Sequence, residues 1–402
     1  MRSCPLPAEP TMKRILSLIG AAALCLQAPF AACQGTILPW GQSSDQLAWQ
    51  TFVQVTAPSG NPNSSQVEFE TWASDDDIYH TSPPRWPAPG TPKRLQASLL
   101  GTAHRIAVRK PLIISPSDCN PPSNTDSKLG LPANVCIGEE VRRNWASYQY
   151  IVSNNLYNAQ GLATAYAKKS PVNLPADAVE FKGDWMKVAD LIGWLKKTEG
   201  LTLTEADIRH KFYVNTATDG KTSADFALLS FHFSTKQIKQ WVWSDFENKM
   251  NPGRCDDTGC HDSFGAVSSN TPPNGLANQN YGDCQKSEAL LAMFKNAAID
   301  PVWRNYCLKG SQTDYVEANT STPTILGNSV IERITANVPI LRSSCISCHA
   351  YASFDKDGNH GLDQIVLDPK KYPVGPIDPK ILVPGEYVQN DFIWGIIAVP
   401  SK

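Results

Sequence analysis

The chain has 402 residues, 42% of them hydrophobic and 18% charged, which is ample for the core of one large domain. Lys and Arg (36) nearly balance Asp and Glu (38), excluding both the basic bias of a nucleic-acid binder and the composition of a disordered chain. Pro 31 and Gly 25 exclude a coiled coil in favour of a loop-rich fold, and Cys 11 points to metal chemistry or an oxidising compartment.

Met12-Lys13-Arg14 precedes an apolar run, Ile15 to Leu26, and small residues lead up to Cys33. This is the layout of a secretory signal peptide, expected over residues 1–32, with Met12 a candidate start. Phe30-Ala31-Ala32-Cys33 also resembles a bacterial lipobox, which makes Cys33 a candidate lipid anchor; ordinary cleavage nearby is the alternative. The expected location is periplasmic or extracellular.

Residues 33–402 are read as a single large α+β domain: a loop-rich body with a β-sheet core and peripheral helices. Ala48, Phe52 and Val55 recur at helical spacing behind a Ser43 or Ser44 cap. Val141, Trp145, Tyr148, Val152 and Leu156 predict an amphipathic helix over 139–157. Strands are expected where Val179, Phe181 and Trp185 alternate with Glu180, Lys182, Asp184 and Met186, and where Leu229, Phe231 and Phe233 alternate with Ser230, His232 and Ser234. Phe212 and Val214 precede an Asp219-Gly220 turn, Trp241-Val242-Trp243 suggests a further strand, and Leu290, Met293, Phe294 and Ala297 mark another helix.

The chemistry is concentrated in Cys345-Ile346-Ser347-Cys348-His349, a C-x-x-C-H pattern in a C-terminal region of about 325–402. Two thiols on one helical turn can form thioethers to the vinyl groups of a haem, and the adjacent imidazole can reach its iron. Ser343 or Ser344 can cap that turn. A redox C-x-x-C fits less well, since it belongs in a βαβ context, and a zinc site lacks a fourth ligand. On these residues the chain resembles c-type cytochromes. Together with Trp241-Val242-Trp243-Ser244-Asp245-Phe246-Glu247 it is similar to large secreted mono-haem cytochromes. The resemblance implies one covalent haem c, with Cys345, Cys348 and His349 as its binding residues and His349 as proximal iron ligand. The motif stands late in the chain and no Met follows it, unlike the arrangement of a small cytochrome c domain.

A distal ligand must then come from elsewhere. His232 and Met186, each on the polar face of its strand, are the leading candidates beside an open or water-bound position; Met250, Met293 and His360 are weaker ones. Cys255, Cys260 and His261 have the C-x4-C-H spacing of a rarer attachment motif, but a loop disulfide is preferred over a second haem. Cys119 and Cys136 bracket a Pro/Asn-rich loop and are expected to pair. Asp355, Asp357, Asn359 and Asp363 offer oxygens in the manner of a calcium loop, although Gly358 and Gly361 are misplaced for an EF-hand and Val366 replaces its final Glu. A solvated turn is the alternative.

No phosphate loop, Ser/His/Asp order or H-E-x-x-H motif is present. The expected function is an exported single-electron carrier working with soluble or membrane-attached redox proteins and not with nucleic acid. The alternatives are a peroxidase-like haem enzyme with an open distal site and a non-catalytic subunit that presents its haem to a dehydrogenase or oxidase.

Overall fold

The computed structural model describes residues 42–61, 65–89, 96–97, 129–131, 135, 137–218, 223–273, 284–336, 338–359, 372–383 and 385–398. The signal segment, Cys33, Cys119, Cys136, His360 and Asp363 lie outside them. All the described residues belong to one contact unit, 35–402.

In chain order the strands are β1 (Ala73–Ser74), β2 (Gln96–Ala97), β3 (Ile137–Arg143), β4 (Val179–Lys187), β5 (Val214–Thr218) and β6 (Ser223–Thr235). They continue as β7 (Val242–Asn248), β8 (Cys260–His261), β9 (Asn270–Thr271), β10 (Tyr306–Gln312), β11 (Ser353–Phe354) and β12 (Val388–Gln389). The helices are α1 (Ser44–Thr56), α2 (Asp75–Tyr79), α3 (Trp145–Ser153), α4 (Ala159–Ala167), α5 (Val188–Glu199), α6 (Glu205–Lys211), α7 (Glu288–Asn296) and α8 (Cys345–His349). The fold is α+β. An eight-stranded antiparallel sheet in the order β1-β3-β4-β6-β7-β10 forms its centre, with β2 paired to β3 and β5 to β6.

Alternation along the strands gives the sheet two chemically different faces. One face is aromatic: Phe181 lies beside Phe233, and Phe231, Phe246 and Leu308 are successive ladder partners. Helix α1, capped by Ser43 accepting from the Gln46 amide, lays Trp49 and Phe52 on this face; the Phe52 and Phe246 rings are 4.9 Å apart. Gly183 faces the same cluster, and a Cβ there would stand 2.7 Å from Phe181 and 2.9 Å from Leu228. Only glycine lets those two side chains close over the strand.

The opposite face carries charge. Reading across β3, β4, β6 and β7, one row is Arg143, Glu180, Ser234 and Trp243. The next is Val141, Lys182, His232 and Asp245, and the third is Glu139, Asp184, Ser230 and Glu247. Beyond the third row the face turns apolar: Ile137, Met186 and Ala227 pack with Val188, Leu191 and Leu195 of α5.

One expectation needs correction. Residues 137–143 form a strand, and α3 begins only at Trp145, capped by Asn144 accepting from the Ser147 amide. The spacing of Val141 and Trp145 is met by two elements in succession, because pairing with β4 overrides local helical periodicity. The further strand expected at Trp241-Val242-Trp243 is present from Val242, with Trp241 at φ 62° turning the chain into it.

Candidate functional site

A cavity of about 980 Å3, measured out to its open mouth, lies between the charged face and the C-terminal segment. Its walls include Cys345, Cys348 and His349 on one side and Glu139, Lys182, His232 and Glu332 on the other.

Helix α8 is short, so its orientation is set by its neighbours. Ser344 occupies the cap position, but its hydroxyl is turned to Ser347 Oγ (2.9 Å) and caps no amide. The acceptor comes from β10: Gln312 Oε1 takes the Ile346 amide at 3.3 Å, while Gln312 Nε2 donates to Ser344 Oγ at 3.2 Å. Ser343 Oγ donates to the Leu326 carbonyl at 2.9 Å. The motif is thus fastened to the edge of the sheet.

Both thiols are free. Burial pushes Cys345 well up from the ordinary thiol range and Cys348 up to about 11. A redox C-x-x-C works through a thiolate favoured at low pKa, which this environment opposes.

His349 Nδ1 lies 2.8 Å from the Phe392 carbonyl, the geometry of an N–H donor that leaves Nε2 as the unprotonated nitrogen. Burial pushes this imidazole down to about 4, so it is neutral at physiological pH. Trp243 packs against its ring at 4.5 Å, and Phe392 lies 6.1 Å from Trp243. The imidazole is therefore held by a backbone carbonyl and an indole face.

The facing wall is an ion-paired network. Lys182 Nζ is 3.0 Å from Glu139 Oε2. His232 Nε2 is 3.4 Å from Asp245 Oδ1 and 3.5 Å from Glu332 Oε2. Burial opposes the charge on His232, but Glu332 and Asp245 outweigh it and push the imidazole up to about 10. Arg143 is fully buried between Asp75 and Glu180.

The sequence-derived candidates separate clearly. Cys345, Cys348, His349 and His232 line one cavity. Met186 does not line it and is fully buried against α5; Met250 packs at the edge of that cluster and Met293 beside the aromatic one. Cys255 and Cys260 are bonded to each other, so neither thiol is available for a second haem, and His261 is exposed beside Asp45. A further disulfide joins Cys284 to Cys307. Asp355 accepts the amides of Asp357 and Asn359 at 2.9 and 2.8 Å, so the candidate calcium loop closes on itself over its described half.

Sequence reasoning missed Glu332, Gln312, Asn328 and the Phe392 carbonyl, all of which reach the site from distant segments. The Trp241–Glu247 stretch was the available signal: Trp243, Asp245 and Glu247 alternate onto the charged face, with Trp243 on His349 and Asp245 beside His232. No protein-family model, curated protein or solved structure matches this chain.

Proposed function

We propose that this chain is an exported c-type haem protein that transfers single electrons, with haem bound through Cys345, Cys348 and His349. One observation carries the reading. Two free thiols and an imidazole with Nδ1 committed to a carbonyl stand on one helical turn along a cavity wall. The donor set fits the group, since thioether formation needs unpaired thiols and axial ligation needs a neutral nitrogen. When bound, haem c supplies a one-electron iron couple. The chain's own residues fix His349 through Phe392 and Trp243, anchor the attachment turn through Gln312, and surround the cavity with buried charge.

A second reading, a haem enzyme with an open distal position, is favoured by the facing wall. Lys182 and His232 are both engaged by carboxylates there, and no Met lines the cavity among the described residues. Groups of this kind could hold or deliver protons beside a reacting ligand.

The visible spectrum of the dithionite-reduced protein, before and after carbon monoxide, separates the readings. A low-spin spectrum indifferent to the gas supports the carrier. A high-spin spectrum that shifts on adding it supports the open site. No haem spectrum from cells that mature c-type cytochromes would remove both.

A further inference from the structure

We propose that His232, Asp245 and Glu332 form a binding site for a divalent first-row transition-metal ion, opening onto the cavity that His349 lines. The three side chains come from three elements: His232 and Asp245 are ladder partners on β6 and β7, and Glu332 descends from the π-helical turn Ile331–Thr335. One ligand atom from each lies within 4.8 Å of the other two. π-Helical turns recur at functional sites.

The separations suit an ion better than they suit hydrogen bonds. His232 Nε2 is 3.4 Å from the Asp245 carboxylate and 3.5 Å from that of Glu332, beyond the usual N–H···O range. Donors about 2.1 Å from a tetrahedral ion stand roughly 3.4 Å apart along its edges, using ordinary metal–ligand distances. Asp245 is fully buried, and its Oδ2 has no hydrogen-bond partner. Such an atom is costly unless something outside the protein's own hydrogen bonds satisfies it.

A single buried residue braces the set, Asp245 through its side chain and Glu332 through its backbone amide. Asn328 Nδ2 donates to Asp245 Oδ1 at 2.9 Å, and the Asn328 amide donates to Glu332 Oε2 at 2.7 Å. Asn328 Oδ1 accepts the amides of Val330 and Ile331 at 2.8 and 2.6 Å, fixing the start of the π-helical turn. Partners that orient carboxylates in this way are a regular feature of metal centres.

Charge points the same way. Two carboxylates enter a buried place, while the nearby Lys182 ammonium is held by Glu139. Without an ion the His232 imidazolium offsets one of the two carboxylates; a divalent ion that displaces its proton, leaving a neutral imidazole, balances both. One nitrogen and two carboxylate oxygens suit zinc, iron(II) or manganese(II), and fall short of the six to eight oxygens of calcium. His232 and Glu332 line the cavity, so the remaining coordination positions are accessible from it.

The three ligands are independent of the haem-attachment residues, and the measurement below reads bound metal, not haem. The exported full-length protein is treated with chelator, titrated with zinc(II) or manganese(II) by calorimetry, desalted and assayed for metal, with haem measured separately. About one zinc or manganese per chain is expected. Glu332→Gln and Asp245→Asn should each weaken binding at least ~10-fold, and Asn328→Ala by ~10–100-fold, the range for loss of an orienting partner. Circular dichroism checks that each variant folds; should Asp245→Asn fail, Glu332→Gln decides. Absence of stoichiometric metal in the wild type, or wild-type affinity in the folded variants, would overturn the site.

Discussion

The two faces of the central sheet use the same strands for opposite ends. On one, Phe231 and Phe246 are covered by Trp49 and Phe52 and Phe181 by Phe69, with Phe233 packed among them. On the other, one residue away along the same strands, Asp184 and Asp245 are fully buried and Lys182 and His232 are half-buried along the cavity. Burying each aromatic ring is favourable by about 1.5–3 kcal/mol. Burying charge is unfavourable unless it is paired, and several of these oxygens are only partly satisfied. The aromatic face therefore supplies stability, and the charged face spends some of it to hold a particular chemistry beneath α8.

The largest expected effect separates the faces outright. Changing Cys345 and Cys348 together to Ser should leave no haem on the chain after acid–acetone extraction, while the far-ultraviolet circular dichroism of the sheet is retained. Covalent haem surviving in that variant would dissociate the motif from its assigned role.

On the aromatic face, Phe231→Ala should cost about 3–5 kcal/mol in urea unfolding, the usual range for emptying a buried Phe site. The folded fraction should keep its visible spectrum. A loss below about 1 kcal/mol would mean that this cluster is not the principal core.

A smaller, pH-dependent effect belongs to Asp184. Burial and the neighbouring Glu139 push its carboxyl up to about 7, against the pull of Lys182 and the Thr335 hydroxyl. The unfolded carboxyl titrates near ~3.9. Between those values the folded state holds a proton that the unfolded state has lost, so stability falls as pH rises through that window and levels off above it. Asp184→Asn should flatten this fall, read as the urea midpoint at pH 5 against pH 8. An unchanged slope would contradict the assignment.

The smallest effect is expected at Gln312. Its replacement by Ala removes the bonds to Ile346 and Ser344 and should cost about 1 kcal/mol. A carbon-monoxide response newly acquired by this variant would show that the same bonds also hold the attachment turn in register.

What was legible in the sequence follows from distance along the chain. The attachment turn is local, and its five residues carry their chemistry wherever they fold. Strands β4 and β6 were legible because Phe181, Trp185, Phe231 and Phe233 alternate with polar residues. Strand β3 was misread, since Val141, Trp145 and Tyr148 satisfy a helical spacing that only pairing with β4 breaks. Met186 was placed on the correct face, but nothing local indicated that α5 covers that end of it. His232 could be singled out as a polar-face residue, whereas its partners Asp245 and Glu332 are brought beside it by tertiary structure alone. The same holds for Cys284 and Cys307, which no spacing rule joins.

Covalent haem attachment is tested by the intact mass of the exported protein, followed by the mass of its peptide containing Cys345 and Cys348. An increase of one haem is expected, carried on that peptide and absent when both cysteines are Ser. A polypeptide of unmodified mass, produced in cells that load haem onto a control cytochrome, would contradict it.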